Sequence, residues 1–234
     1  MNSAFFQKKY GDFLYIEDPQ EFHHLINVLR TKKGERVRLI DGKGCEYIAV
    51  LSLIDKKNKR AEAKVIECLL KKRELPFKIT LAFSPLEDER ANEFVVQKGT
   101  ELGVSEFVPV LCERTIKTNL RLERWSKIIK EAVKQSGRSV IPELRSLVSL
   151  DDFIRDCSAN CKLFGLIDGD SILVEKITGD VAIVIGPEGD FTPREVEKLK
   201  EAKFKGVGLT RTILKAETAA ILLSGYVSLA GGTL

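Results

Sequence analysis

Residues 183–195 read IVIGPEGDFTPRE and join a strand to a helix through a short loop. Residues 181–185 are continuously apolar, which is typical of a strand covered on both faces. Residues 192–195 form a T-x-x-E capping box with proline at the first helical position. Gly186 and Gly189 permit close backbone approach, and Pro187 fixes one torsion. The pattern predicts a stiff loop at the carboxyl end of a strand, which is either a ligand-binding edge or only a tight turn.

Predicted strands and helices alternate from residue 77 onward. The strands lie at residues 77–83, 107–111, 163–167, 181–185 and 207–209. This alternation predicts an α/β fold with a mainly parallel sheet covered on both faces. Ligands of such sheets bind beyond the carboxyl ends of the strands. The loop at residues 210–214 reaches that edge with Ile213 and Leu214, which suit either a flat hydrophobic ligand or an anchor to the core.

The first third of the chain has a different pattern. A capping box at residues 18–21 predicts an amphipathic helix that ends near Arg30, and strands follow at residues 36–40, 47–54 and 61–70. Short turns between these strands predict a small β-barrel or sandwich. Residues 1–73 carry a net charge of +6 and the rest of the chain −2. The basic excess suits contact with nucleic acid, with a solubilising surface as the alternative.

Several classes of protein are excluded by what the sequence lacks. It has no secretory signal pattern and no apolar run long enough for a membrane span. Its five scattered cysteines fit reduced thiols, so we expect a cytoplasmic protein. No dinucleotide or P-loop fingerprint is present. The two histidines, His23 and His24, are adjacent on one helix, so we expect neither a metal site nor a histidine base for acyl transfer.

A second candidate site lies at the end of a tryptophan-bearing helix, in residues 131–139. Gln135 can hydrogen-bond the edge of a base, and Arg138 can hold a phosphate or carboxylate through two parallel hydrogen bonds. The alternative is a structural arginine that caps the carboxyl end of the helix.

Together these segments resemble the ribosomal RNA small subunit methyltransferase E family over nearly the whole chain. The matching segments are FHHLINVLR at 22–30, TELGV at 100–104, EAVKQSGR at 131–138 with Pro142, IGPEG at 185–189 and ILKAETA at 213–219. The family is of the SPOUT class. The resemblance therefore implies a PUA-like, RNA-binding β-barrel at residues 1–72, a trefoil-knotted α/β methyltransferase domain at residues 73–234, and a homodimer.

The resemblance also implies the activity: transfer of a methyl group from S-adenosylmethionine to N3 of one uridine in 16S ribosomal RNA, with that RNA or the small ribosomal subunit as partner. The implied cofactor residues are Leu166, Ile185, Gly186, Pro187, Glu188, Gly189, Leu209, Ile213 and Leu214. We assign catalysis to Arg138 and Gln135, which by this resemblance would reach the cofactor edge from the partner subunit. We assign contacts with the RNA to Arg30, Arg114 and Arg211. Arg138 would stabilise the uridinate, and water or a carboxylate would take the N3 proton.

The chain departs from the usual family pattern at three places, one of which is the absence of the early arginine often seen near the amino terminus. Asp190 stands where a second glycine usually follows GPEG, and the usual LGxRILR loop reads LTRTILK, with Thr210, Thr212 and Lys215 as the changed positions. Lysine cannot reproduce the bidentate fork of arginine. Two alternatives follow: a SPOUT methyltransferase with another RNA target, including the ribose 2'-hydroxyl, and a non-catalytic RNA-binding protein.

Overall fold

The computed structural model describes residues 1–71, 73–171 and 177–231. The chain divides into two compact units. The first consists of Met1–Glu74 and Val133–Ile141, and the second of Leu75–Ala132 and Pro142–Leu234. Among the described residues, no helix combines the length and the apolar character that a membrane span requires.

The first unit contains one six-stranded sheet in the order β1-β4-β5-β6-β3-β2. Its strands are β1 (Asn2–Phe5), β2 (Lys8–Tyr10), β3 (Phe13–Ile16), β4 (Arg36–Ile40), β5 (Cys45–Asp55) and β6 (Arg60–Leu70). The β1–β4 pair is parallel and the other pairs are antiparallel. The sequence predicted the last three strands but not the first three, which are short and lack a clear alternating pattern.

The amino-terminal helix begins where the capping box predicts. Asp18 accepts hydrogen bonds from the backbone N–H groups of Gln20 and Glu21, and helix α1 spans Pro19–Phe22. It then widens into a π-helical segment, His23–Val28, rather than continuing as one α-helix. The segment keeps Leu25 and Ile26 buried in the core of the first unit.

The second unit contains a parallel sheet in the order β10-β8-β7-β12-β11-β13, with β9 also paired to β8. Its strands are β7 (Ile79–Phe83), β8 (Glu106–Leu111), β9 (Glu143–Leu144), β10 (Val148–Ser149), β11 (Cys161–Ser171), β12 (Val181–Ile185) and β13 (Lys205–Gly208). Its helices are α2 (Glu89–Glu101), α4 (Leu150–Asp156), α5 (Pro193–Glu201) and α6 (Ala216–Gly231), together with α3 (Leu122–Ser136), whose residues from 133 onward are counted with the first unit. The predicted α/β alternation and parallel sheet are confirmed.

The division of the chain differs from the single boundary between residues 72 and 73 that the sequence suggested, because Val133–Ile141 is counted with the first unit. Hydrogen bonds within that unit explain the assignment. Nη2 of Arg38 donates to the carbonyl oxygens of Gly137 and Arg138, at 2.8 and 2.7 Å. The N–H of Ile141 donates to the carbonyl oxygen of Gly42 at 2.9 Å. Such long-range contacts are not visible in a local sequence pattern.

Candidate functional site

A cavity of about 470 Å³ lies in the second unit, at the predicted edge of the parallel sheet. Its wall is built by residues 165–167 within β11, by the end of β12 and the loop after it, by β13 and the loop after it, and by the starts of α2 and α6. Eight of the nine predicted cofactor residues line it: Leu166, Ile185, Gly186, Pro187, Glu188, Leu209, Ile213 and Leu214. Sequence reasoning missed Asp88, Ala91, Gly165, Ile167, Asp190, Val207, Thr210, Thr212, Lys215, Ala216, Glu217 and Ala219. Several of these residues are adjacent in sequence to predicted ones. That adjacency was the only feature of the sequence that could have indicated them.

The ninth predicted residue, Gly189, does not line the cavity but helps to fasten the loop that does. Its carbonyl oxygen accepts a hydrogen bond from Nη1 of Arg114 at 2.6 Å. Oε1 of Glu188 accepts one from the backbone N–H of Glu87 at 2.7 Å. The Glu188 side chain therefore holds the loop against the β7–α2 connection, and Arg114 holds the loop from the side of the β8–α3 connection.

Gly186 is required by close packing rather than by its backbone angles. A Cβ atom at this position would lie 3.1 Å from the ring of Phe191, which is tighter than ordinary contact. That ring packs edge-on against Phe164, with centroids 5.9 Å apart. Because Phe191 is itself in the core, a side chain at residue 186 would either displace the Phe191 ring or extend into the cavity.

Helix α5 begins with the predicted capping box. Oγ1 of Thr192 accepts from the N–H of Glu195 at 3.3 Å, and Oε2 of Glu195 accepts from the N–H of Thr192 at 2.8 Å. The second carboxylate oxygen of Glu195 accepts from the N–H of Glu113 at 2.8 Å. Burial, together with the Glu195 carboxylate, raises the pKa of the Cys112 thiol to about 12. The thiol therefore stays protonated at neutral pH and is not a nucleophile.

The 209–215 loop presents apolar side chains to the cavity. Ile213 is 77% exposed, so it does not anchor the loop to the core. Oγ1 of Thr210 donates to the carbonyl oxygen of Thr212 at 2.6 Å, which gives the loop a local hydrogen bond of its own. Lys215 also lines the cavity. These observations favour the ligand-binding interpretation over a core anchor.

The predicted catalytic pair belongs to the first unit, whereas the residues that line the cavity belong to the second. Arg138 is buried, and its Nε and Nη2 donate to Oε2 of Glu74 at 3.0 and 2.8 Å. Gln135 is exposed. The structure thus brings eight of the predicted cofactor residues together, and Arg138 and Gln135 are not among the described residues that line the cavity.

The predicted RNA-binding arginines are all exposed, with Arg30 in the first unit and Arg114 and Arg211 in the second. Arg30 follows the π-helical segment and has a positive φ of 55°. Arg114 contacts the cavity loop through Gly189, and Arg211 lies in the 209–215 loop. Within the described ranges, no group of three or more histidine, cysteine or acidic side chains is arranged to hold a metal ion.

Comparison with known proteins identifies the family. The sequence profile of an RNA methyltransferase domain matches residues 73–228, and that of an RNA methyltransferase PUA domain matches residues 16–64. Ribosomal RNA small subunit methyltransferase E of Bacillus subtilis is 32% identical over 226 residues, covering 89% of this chain and 87% of the relative. The chain belongs to the ribosomal RNA small subunit methyltransferase E family. The Aquifex aeolicus member is also 32% identical, covering 94% of this chain and 96% of the relative.

Solved structures of methyltransferases share the whole fold of this family member. Ribosomal RNA small subunit methyltransferase E from Neisseria gonorrhoeae, bound to S-adenosyl methionine, is 29% identical with a TM-score of 0.89 and covers 99% of this chain and 98% of its own. A putative methyltransferase from Legionella pneumophila, in complex with the same cofactor, is 32% identical with a TM-score of 0.86 and the same coverage.

The structure gives a reason for one departure from the family pattern. Asp190, at the position where this family usually has a second glycine, adopts a positive φ of 59°. Glycine adopts this conformation without strain, and aspartate is among the few other residues that tolerate it. Oδ1 of Asp190 also accepts a hydrogen bond from the N–H of Phe191 at 2.8 Å. Aspartate is thus compatible with the backbone conformation of the loop at this position.

Proposed function

We propose that this protein transfers the methyl group of S-adenosylmethionine to N3 of a uridine in 16S ribosomal RNA. The cavity at the sheet edge carries the proposal, because it gathers eight of the nine residues that the family resemblance assigns to the cofactor. Its volume of about 470 Å³ is within the range of about 300–1,000 Å³ for small-molecule sites. Membership of a family of ribosomal RNA methyltransferases supports the substrate class.

The residues present fit S-adenosylmethionine. Leu209, Ile213 and Leu214 offer apolar surface for the adenine ring, and the absence of a side chain at Gly186 lets the ligand approach the loop backbone. When bound, the cofactor supplies an electrophilic methyl group on a sulfonium. The protein then has to bind this group, exclude water from it and present an RNA nitrogen.

Uridine N3 imposes two requirements on the protein. The nitrogen lies on the pairing edge and carries a proton, so the base must be unpaired or flipped out and must lose that proton. We assign Arg138 to electrostatic stabilisation of the developing uridinate and Gln135 to a hydrogen bond with the base edge. Arg30, Arg114 and Arg211 are assigned to the RNA, whose phosphates attract arginine.

We also propose that the protein acts as a homodimer, as the family resemblance implies. On that proposal, Arg138 and Gln135 of each subunit serve the cavity of the partner subunit. The 16S ribosomal RNA in the small subunit is the proposed partner, and the cytoplasm is the proposed location.

We further propose a trefoil knot in the second unit. Strand β13 lies at the edge of the sheet, yet the next helix, α6, packs against α2 and the central strands β7 and β12. We propose that the chain between β13 and α6 returns to the centre of the sheet by passing through the preceding loops. Such a passage would form a knot. An experimental structure with an unknotted backbone would overturn this proposal.

The decisive test of the activity is nucleoside mass spectrometry of 16S ribosomal RNA after gene deletion and rescue. We expect deletion to remove N3-methyluridine and rescue to restore it. Loss of a 2'-O-methylated nucleoside instead would assign another RNA target. Calorimetry with S-adenosylmethionine separates enzyme from binder, because a folded protein that does not bind the cofactor would be a non-catalytic RNA-binding protein.

Mixing subunits tests the assignment of Arg138. Arg138→Ala removes the proposed catalytic group, and Gly186→Val fills the cavity wall, so each variant alone is expected to be inactive with saturating RNA. A mixed dimer contains one site with an intact cavity and an intact partner arginine. If the subunits exchange at random, about half of the dimers are mixed and one of their two sites works. The mixture should therefore regain up to about a quarter of wild-type activity. Wild-type activity of Arg138→Ala, or no recovery on mixing, contradicts the assignment.

A further inference from the structure

Four carboxylates line the cavity, and three of them already have structural roles. Asp88 accepts the N–H of Arg90 at 2.9 Å as the amino-terminal cap of α2. Glu188 accepts the N–H of Glu87 at 2.7 Å, and Asp190 that of its neighbour Phe191 at 2.8 Å. Each of these side chains shapes the backbone that forms the cavity wall, so each is committed to the fold.

Glu217 is the fourth carboxylate and is in a different situation. It is the second residue of α6, it is half-buried, and both Ala216 and Ala219 beside it line the same cavity. Within the part of the chain that the structure describes, its carboxylate makes no hydrogen bond or ion pair. Both oxygens are thus available to a ligand.

The proposed reaction requires a proton acceptor at this cavity. The described residues that line it include no histidine, and a protonated Lys215 has no lone pair with which to accept a proton. Asp88, Glu188 and Asp190 each accept a backbone hydrogen bond, which is charge-assisted while the carboxylate is ionised and would be weakened by protonation. Glu217 can accept the proton without loss of a contact that holds the fold.

We propose that Glu217 is the general base that removes the N3 proton of the target uridine. This inference rests on the proposed function. As the N3–H bond breaks, the proton passes to the Glu217 carboxylate and the N3 electron pair takes the methyl group. The electrons of the broken carbon–sulfur bond return to sulfur, which becomes a neutral thioether. The protonated Glu217 then releases its proton to water, and charge is balanced.

The test compares Glu217→Gln with wild type in single-turnover methylation of small ribosomal subunits saturated with enzyme and S-adenosylmethionine. Loss of a general base lowers the rate by about 10²-fold or more. The rate of Glu217→Gln should then rise by about tenfold per pH unit above neutrality, because it depends on the fraction of ionised uridine, whereas the wild-type rate should be nearly flat. The affinity for S-adenosylmethionine, measured by calorimetry, should change by less than about threefold.

Chemical rescue gives a readout that a purely structural role would not move. Fluorine at C5 withdraws electrons and makes N3–H more acidic. With reconstituted ribosomal subunits that contain 5-fluorouridine, the ratio of the wild-type methylation rate to the Glu217→Gln rate should therefore fall by at least about tenfold. Glu123→Gln is the matched control, because Glu123 is the second residue of α3 and is exposed. It should keep the wild-type rate.

Three results overturn the inference: a wild-type rate for Glu217→Gln, a loss that neither pH nor 5-fluorouridine reduces, or a loss explained by weaker cofactor binding. If Glu217→Gln does not fold, Glu217→Asp replaces it and should lose rate without losing cofactor affinity. Failure of the proposed function is distinct, because wild-type enzyme would then form no N3-methyluridine at all.

Discussion

Glu74 holds Arg138 through one carboxylate oxygen and the backbone beyond Arg138 through the other. Oε2 accepts from Nε and Nη2 of Arg138, and Oε1 accepts from the backbone N–H groups of Ser139 and Val140 at 2.8 and 3.0 Å. Both side chains are more than nine-tenths buried. Side chain and backbone are thus fixed together, so the direction in which Arg138 points is set by Glu74.

We expect Glu74→Gln to destabilise the protein. The substitution keeps an acceptor for the two backbone N–H groups but removes the charge that compensates the buried guanidinium, and such losses cost about 3–5 kcal/mol. Urea unfolding measures the effect. In the double variant Glu74→Leu with Arg138→Met no charge remains to compensate, so it should be more stable than Glu74→Gln. A double variant less stable than the single one would show that the pair contributes chiefly through its hydrogen bonds.

The positive φ of Asp190 predicts which substitutions the cavity loop accepts. Asp190→Gly should leave the free energy of unfolding within about 1 kcal/mol of wild type and should leave cofactor affinity nearly unchanged, because glycine adopts this φ freely. Asp190→Val should cost about 1–3 kcal/mol and weaken S-adenosylmethionine binding, since a β-branched residue is strained there. Calorimetry and thermal unfolding together test this. Equal behaviour of the two variants would contradict it.

A side chain at Gly169 should separate β11 from β13 beside the cavity. Its Cβ would lie 2.7 Å from the backbone nitrogen of Gly208 and 2.8 Å from the carbonyl carbon of Val207, and backbone cannot move aside as a flexible side chain can. We expect Gly169→Ala to destabilise by about 2 kcal/mol or more and to lower cofactor affinity. Gly225→Ala on α6 is the control. Its Cβ would meet Leu102 at an ordinary 3.7 Å, and helix propensity favours alanine there.

The Glu93–Arg124 ion pair should make stability depend on pH in the acid range. The hydrogen bond and charge of Arg124 hold the pKa of Glu93 below its usual value. A lowered carboxyl pKa stabilises the fold above the unfolded-state pKa, and this contribution is lost as pH falls through the folded-state pKa. Glu93→Gln should thus cost about 0.2–1 kcal/mol at neutral pH. The cost should vanish in acid, as urea midpoints at both pH values would show. A cost for Glu93→Gln that persists in acid would assign the effect to packing rather than to the ion pair.

Local chemistry explains why much of the second unit was predictable. The apolar run Val181–Ile185 is a strand as predicted, and the capping box at Thr192 starts α5. These features depend on residues within one turn or one strand of each other. The loop after β12 was recognisable for the same reason, since glycine, proline and a helix start occur within a few residues.

What the sequence did not predict depends on partners far along the chain. The first three strands form because β1 pairs with β4, β3 pairs with β6 and β2 pairs with β3, and little in their own composition distinguishes them. The contact of Arg38 with residues 137 and 138 joins segments about one hundred residues apart. The engagement of Glu188 with Glu87 is equally distant, so the conclusion that its side chain fastens the loop required the structure.

The second segment of the first unit also limits how evolution or engineering can exchange its domains. A gene fragment that ends at Glu74 would leave the Arg38 guanidinium without the two carbonyl oxygens it binds, and the Glu74 carboxylate without all four of its donors. Arg38 would keep its salt bridge to Glu46, but polar groups that lose buried hydrogen bonds are costly. The first unit is therefore encoded by two separate stretches of sequence, and we expect that a recombination that swaps one must also swap the other.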